Sequence, residues 1–230
     1  TSIDRPSVDA KAFETVAPAP PVIKWASVNK TGTSNGIINI AWNPSISPDW
    51  EKYHLYRSND YGSSWTNIKR DITGTSYTDS NLNTYDTSYT YALESEDSCG
   101  NISLHLSAPH TSMVLKAASG NEFIRLNWSA YQGWPVKKYD IFRDGTYYGS
   151  VDGDSTRYQD TLVLCVNKYT YSVKAVSALA DSLTAWSNQD SATPTDINPP
   201  KAVHLYQATV AMPNKAVFLR WNKSLSWDTK

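Results

Sequence analysis

The residues suited to chemistry in this sequence are few and scattered. The densest group is Ser58-Asn-Asp60-Tyr-Gly62-Ser-Ser-Trp65. A short carboxylate that can accept backbone N–H bonds, a glycine free to take positive φ and a tryptophan able to fold back describe a hairpin turn held by its own side chains. The expectation is that Asp60 bonds backbone within the turn, Gly62 supplies the permissive dihedral and Trp65 covers the loop. Carboxylates cluster at Glu94, Glu96 and Asp97, and at Asp152 and Asp154. Hydrolysis of a glycosidic bond needs two such groups facing across a cleft, about 5–10 Å apart. The first set lies on the outward face or end of one strand, and the second sits in a turn composition. "DGDSTRYQD" from Asp152 to Asp160 offers oxygen ligands for Ca²⁺ but lacks EF-hand spacing. His54, His105, His110 and His204 form no pair at metal-ligand spacing and read as solvated surface residues, His54 pointing outward between Tyr53 and Leu55. No catalytic residue, metal ligand or cofactor site is expected.

The composition narrows the class. The 230 residues carry 21 basic and 22 acidic side chains, net −1, so no broad field attracts nucleic acid or an anionic membrane. No apolar run approaches the ~20 residues that span a bilayer, so no membrane insertion is expected. The first residues lack the charged-then-apolar layout of a signal peptide. With 15 Tyr and 9 Trp against 4 Phe and 2 Met, the aromatic content suits half-buried sheet faces, where a ring packs and a polar tip reaches water. No long helical period appears, and the chain reads as all-β.

The elements repeat. "IINIAWNP" (37–44), "FIRLNWSA" (123–130) and "AVFLRWNK" (216–223) are three versions of one strand ending in Trp42, Trp128 and Trp221. "YHLYR" returns as "YDIFR" 86 residues later, "SYTD" as "RYQD" 81 later, and "SYTYALESED" as "KYTYSVKAVS" 80 later. The shrinkage falls where the first repeat carries Ser58–Trp65 and the second only "DGTYYG", and hairpins tolerate such a difference. Period-two alternation puts Ile38, Ile40 and Trp42 on one face, with Tyr89, Tyr91 and Leu93 doing the same later; Ile124, Leu126, Trp128, Tyr169, Tyr171 and Val173 repeat it. One buried and one wet face, in spans of roughly 85 residues, matches the antiparallel sandwich of the immunoglobulin-like size class.

These residues carry a resemblance. Trp at the end of the second strand, Tyr-x-Leu/Ile-Tyr/Phe-Arg in the third and Tyr-x-Tyr in the sixth resemble fibronectin type III domains, over about residues 21–112 and 113–195. The opening strands of a third, incomplete copy follow. The resemblance implies tandem β-sandwiches in an elongated array, with Tyr89 and Tyr169 as tyrosine-corner residues and Trp42, Trp128 and Trp221 in the cores. Ser58–Trp65 itself resembles the Asp-box turn of sialidase propellers, but a propeller needs several blades with the box recurring, so the motif is read as a structural turn. "DSCGNIS" (97–103) and "WNPSISPD" (42–49) further resemble repeats of large secreted Bacteroidetes proteins with gliding-motility-type C-terminal sorting domains. That likeness implies export by the type IX secretion system and a secreted or cell-surface location.

Four parts follow: residues 1–20 as linker or tail of an upstream repeat, 21–112 and 113–195 as repeats, and 196–230 as linker and first strands of repeat 3. Pro-rich "TVAPAPPVI" and "TPTDINPP" and the short "HTSMVL" suggest stiff joints. Trp50, Trp134 and Trp227 follow the three strand-ending tryptophans in the next loop. Each can pack across a junction or fold over its own rim. Cys99 and Cys165 fall at opposite poles of different repeats and are not expected to pair, since a disulfide needs Cα atoms within about 7 Å. Asp-Ser/Thr sites at Ser155, Thr161, Ser182 and Ser191 resemble bacterial O-glycosylation acceptors. The reading is a non-enzymatic spacer or adhesive region of a larger secreted protein. Its partners are neighbouring repeats, with secretion machinery or surface proteins beyond them. The alternative is an accessory module of a secreted carbohydrate-active enzyme. Glycan binding through Trp65 or Trp186 is a further, weaker option.

Overall fold

The computed structural model describes residues 15–198, 202–213 and 216–222. In the first repeat the chain forms β1 (Val22–Lys30), β2 (Gly36–Asn43), β3 (Trp50–Ser58), β4 (Thr66–Ile72), β5 (Ser76–Leu82), β6 (Thr90–Asp97) and β7 (His110–Thr111). They pair antiparallel in two sheets, β1-β2-β5 and β4-β3-β6-β7. The second repeat rebuilds this frame from β8 (Leu115–Ser119), β9 (Ile124–Trp128), β10 (Val136–Arg143), β11 (Thr146–Asp152), β12 (Arg157–Asp160), β13 (Tyr169–Ser177), β14 (Thr184–Trp186) and β15 (Asp190–Ala192). Its sheets run β8-β9-β12 and β11-β10-β13, with β14 and β15 both pairing β13.

Each sandwich closes on its own core because alternate residues of both sheets point inward. Ile38, Ile40, Trp42, Tyr53, Leu55, Tyr91 and Leu93 fill the first; Leu115, Ile124, Leu126, Trp128, Tyr139, Ile141, Tyr171 and Val173 fill the second. The strand-ending Trp stands edge-on to the third-strand Tyr in both, at 5.7 Å for Trp42–Tyr53 and 5.4 Å for Trp128–Tyr139. That Tyr hydroxyl also accepts a backbone N–H from the loop after the second strand, from Ser45 at 3.0 Å and Tyr131 at 3.1 Å.

No slack separates the repeats. His110 and Thr111 pair with β6, Met113 is buried in the second core, and Leu115 opens β8. The chain divides after Pro194. Beyond it β16 (Leu205–Ala211) and β17 (Ala216–Trp221) form a two-stranded sheet. Here one expectation is corrected: Trp221 is 57% exposed. Its position matches Trp42 and Trp128, but among the described residues of this unit no second sheet stands opposite to bury it.

Candidate functional site

The most repeated polar constellation ties the two sheets of each sandwich together. Arg57 of β3 donates from Nη1 to both oxygens of Asp79 on β5, at 3.1 and 2.9 Å, and the Tyr91 hydroxyl of β6 donates to Oδ2 at 2.9 Å. In the second repeat Arg143 and Tyr171 each donate to Asp160 Oδ2 at 2.8 Å, while Tyr148 and the Leu162 N–H serve Oδ1 at 2.8 and 3.0 Å. Burial works against ionisation of Asp160, but these bonds outweigh it and hold its carboxyl below the usual range. Burial, and then the neighbouring carboxylate, push Tyr148 up to about 12 and Tyr171 higher still. Such a group crosses between sheets and is saturated with donors, so it acts as a clamp. "YHLYR/YDIFR" and "SYTD/RYQD" carried its signal as repeated charged residues inside core strands. Asp160 is thereby withdrawn from the oxygen set of "DGDSTRYQD", leaving Asp152 and Asp154 exposed in their turn.

The Ser58–Trp65 turn is self-contained. Asp60 Oδ1 accepts the Ser64 N–H at 2.9 Å and Oδ2 the Ser64 hydroxyl at 2.5 Å, while Ser58 Oγ lies 2.5 Å from Oδ1 and accepts the Gly62 N–H at 2.8 Å. Hydrogen bonds from Ser58, then Ser64, lower Asp60 to about 2. Gly62 has φ +90°, and a Cβ there would lie 3.1 Å from the Trp65 ring, so the indole covers the turn. Every acceptor of the carboxylate serves the loop itself.

The outer face of β4-β3-β6-β7 corrects the reading of His54. It is buried, 1% exposed, because neighbouring polar side chains fold over it. Nε2 lies 2.7 Å from Glu96 Oε2, and Nδ1 accepts the Asp71 N–H at 3.3 Å. Lys52 bridges Glu96 at 3.1 Å and Asp71 at 3.3 Å. The β3–β4 register shifts beside His54, and Asp71 takes φ 55° there, turning its N–H onto the ring. The ligand atoms of His54, Asp71 and Glu96 lie within 4.8 Å of one another, yet the protonation is wrong for a metal. A neutral imidazole that ligates through Nε2 carries its proton on Nδ1, and here Nδ1 faces an N–H. Nε2 therefore bears the proton and donates to Glu96, while Lys52 supplies the positive charge. Burial opposes ionisation of Glu96, but the bonds from His54 and Lys52 prevail and lower its pKa.

The second correction concerns His110, which is 3% exposed at the junction between the sandwiches. The Tyr131 hydroxyl accepts the Ala26 N–H at 3.1 Å and shares a hydrogen bond with His110 Nδ1, 2.8 Å away. Gly133, at φ 138°, packs against the imidazole so closely that a Cβ would lie 2.3 Å from Nδ1. Burial depresses His110 to about 4. Trp134 crosses the same junction: it is 7% exposed, lies 4.2 Å from the Tyr131 ring and donates from Nε1 to Lys24 O at 2.8 Å. Further along, Ser27 Oγ accepts the Trp186 N–H at 2.9 Å and Thr31 Oγ1 the Gln189 N–H at 2.7 Å. The contact therefore follows β1 from Lys24 and ends at Thr31, just past the strand. The free edge of β1, which would otherwise present unpaired backbone groups, is occupied by the second sandwich.

Trp50 takes the other option. It begins β3 and stacks on its own Tyr53 at 4.7 Å and 23°, because its loop is two residues longer than that before Trp134. Trp227 lies outside the described residues. Tyr89 and Tyr169 are half-buried, their hydroxyls accepting the Asn83 and Leu164 N–H at 3.2 and 3.0 Å, which is tyrosine-corner geometry. Cys99 is exposed after β6, where Asp97 holds its N–H at 2.9 Å. Cys165 lies between β12 and β13.

Paired antiparallel sheets, three strands facing four in the first repeat and five in the second, with a tyrosine corner at the start of the sixth strand, define an array of immunoglobulin-like sandwiches. No protein-family model and no curated protein matches the chain. Among solved structures it is similar to an Fn3-like protein from Clostridium thermocellum, with 30% identity over 42% of this chain and 92% of that one, TM-score 0.34. It is also similar to the FN1–FN3 domains of chicken CNTN1, with 12% identity over 89% and 75%, TM-score 0.30. The central fibronectin-III array of RIM-binding protein gives 12% identity over 90% and 82%, TM-score 0.31. The sandwiches are of the fibronectin type III kind, arranged in tandem.

Proposed function

We propose that this chain is a non-catalytic spacer and adhesive segment of a larger secreted or cell-surface protein. The observation that carries the reading is the junction along β1, where Tyr131, Trp134 and His110 are buried and each polar atom named there is partnered. A joint sealed in this way fixes the direction in which one repeat presents the next. Asp60, Asp79, Asp160 and Glu96 are engaged in the turn, the clamps and the His54 cluster. In the 230-residue chain, ¹⁵N relaxation should give one tumbling time for both sandwiches. Trp134→Ala, which empties a buried site worth about 3–5 kcal/mol, should separate them into two. Independent tumbling of the unaltered sandwiches would overturn the spacer reading.

The likeness of "DSCGNIS" and "WNPSISPD" to type IX cargo supports export by that route. Its test is the location of the parent protein in a Bacteroidetes host with the translocon deleted: accumulation inside the cell is expected, and undiminished export sinks the route. A groove between the sandwiches, lined by Phe142 and Trp186, favours a second reading, an accessory module of a secreted carbohydrate-active enzyme.

A further inference from the structure

At the Thr31 end of the junction the two sandwiches leave a groove of about 550 Å³, inside the 300–1,000 Å³ range of small-ligand sites. One wall is the end of β1, with Asn29 and Lys30; the other is Phe142, Trp186 and Gln189 of the second repeat. Phe142 and Trp186 stand 4.7 Å apart at 54°, and Tyr147, 54% exposed, meets the Phe142 ring edge-on at 5.9 Å. Three rings thus cross the outer face of β11-β10-β13-β14 and end in the groove. Trp186 is held by its β13 partner Lys174 and by the Ser27 bond to its N–H, so the platform is fixed before any ligand arrives.

The groove's chemistry selects its ligand. An extended peptide adds to a sheet through free backbone groups, but the N–H groups of Trp186 and Gln189 are already taken by Ser27 and Thr31. What faces the space is ring surface, side-chain amides and hydroxyls, and Lys30, whose ammonium can donate to hydroxyl oxygens. Among the described residues no carboxylate lines it. Lys174, which lies over both rings at 5.2 and 5.6 Å, is neutralised by Asp140 at 3.3 Å. Aromatic faces offer apolar contact to C–H groups, and the flanking amides bond hydroxyls. We infer that this groove binds a neutral glycan, one sugar ring stacked on Trp186 and its hydroxyls met by Asn29 and Gln189. This goes beyond the spacer reading and stands or falls without it.

The test is titration of the 230-residue chain with neutral hexasaccharides of glucose, mannose and xylose, read by calorimetry and tryptophan fluorescence. Binding of at least one is expected, weakened about tenfold or more by Trp186→Ala or Phe142→Ala. Leu106→Ala, at the matching position of the first repeat, should leave it unchanged. Because Trp186 also borders the junction, Gln189→Ala serves as the milder variant: its side chain is exposed while its structural bond is through the backbone. It should weaken binding a few-fold without lowering the melting temperature. The inference is overturned if no hexasaccharide binds, if binding ignores both Trp186→Ala and Gln189→Ala, or if a proline-rich peptide binds with that dependence and sugars do not.

Discussion

The outer faces of β4-β3-β6-β7 and β11-β10-β13-β14 come from one repeated pattern and end in opposite chemistry. Tyr56 is matched by Phe142, His54 by Asp140, Glu94 by Lys174 and Leu106 by Trp186, at the same 86- and 80-residue offsets that align the cores. On the first face Tyr56 donates to Glu94 at 2.6 Å and His54 to Glu96 at 2.7 Å, so polar groups consume one another. On the second, losing the Tyr hydroxyl and gaining Trp186 leaves rings with no partner but each other and Lys174. The inward faces barely differ: both keep the Trp–Tyr pair, the corner tyrosine and the Arg–Asp–Tyr clamp. The frame is held by the alternating inward residues, and the outward positions are free to diverge.

The strongest test of this contrast is the shared half. Asp79→Asn and Asp160→Asn each leave an arginine against a neutral partner inside a sandwich. Breaking a buried pair in this way costs about 3–5 kcal/mol; the partly exposed arginines, at 29% and 23%, place both losses near the lower end. Urea denaturation followed by near-UV signals should show comparable losses in the two repeats. If only one repeat is sensitive, the clamps are not equivalent and the frame is not common to both.

A second test separates the faces from the joint between them. His110 is depressed to about 4 by burial, against about 6.5 for a free imidazole. The folded state disfavours the proton, so its stability is full above pH about 6.5 and is lost as pH falls toward 4. At about 1.4 kcal/mol per unit the loss reaches roughly 3 kcal/mol. The melting temperature should fall over this window, and His110→Leu should flatten the fall. An unchanged profile in His110→Leu would move the pH dependence elsewhere.

Much of this architecture could be read from alternation alone. Ile38, Ile40, Trp42, Tyr91 and Leu93 are wholly buried, as are Ile124, Leu126, Tyr171 and Val173. What alternation could not supply is what lies above the outward face. His54 does point away from the core, as its neighbours Tyr53 and Leu55 require, but Lys52, Asp71 and Glu96 close over it. The junction was illegible for a different reason: its bonds join residues 105 to 159 positions apart, and no local period encodes which edge a neighbouring sandwich will occupy. Trp134 stood out through its place in the loop, but Tyr131, which lies level with Ser45 in the first repeat, did not. The clamp was visible as Arg57, Asp79, Arg143 and Asp160 recurring in core strands, and needed only the question of why charge should recur there.

The smallest effect returns to the outer faces. His54→Ala removes a buried side chain and leaves Glu96 with Lys52 alone and the Asp71 N–H without its acceptor; stranding buried polar groups costs about 1–3 kcal/mol. Asp140→Ala, at the matching position, removes a buried carboxylate held by Lys138 at 2.9 Å and Lys174 at 3.3 Å. Both lysines keep access to water, with 40% and 24% of their side chains exposed, so each can solvate its charge once released. Exposed and half-exposed pairs are worth about 0–1 kcal/mol, and relief of a buried carboxylate offsets part of that. The first substitution should therefore shift the urea midpoint clearly and the second hardly at all. Equal shifts would mean that the second face depends on its ion pairs as the first does, and that its aromatic strip is not the part of the molecule left open.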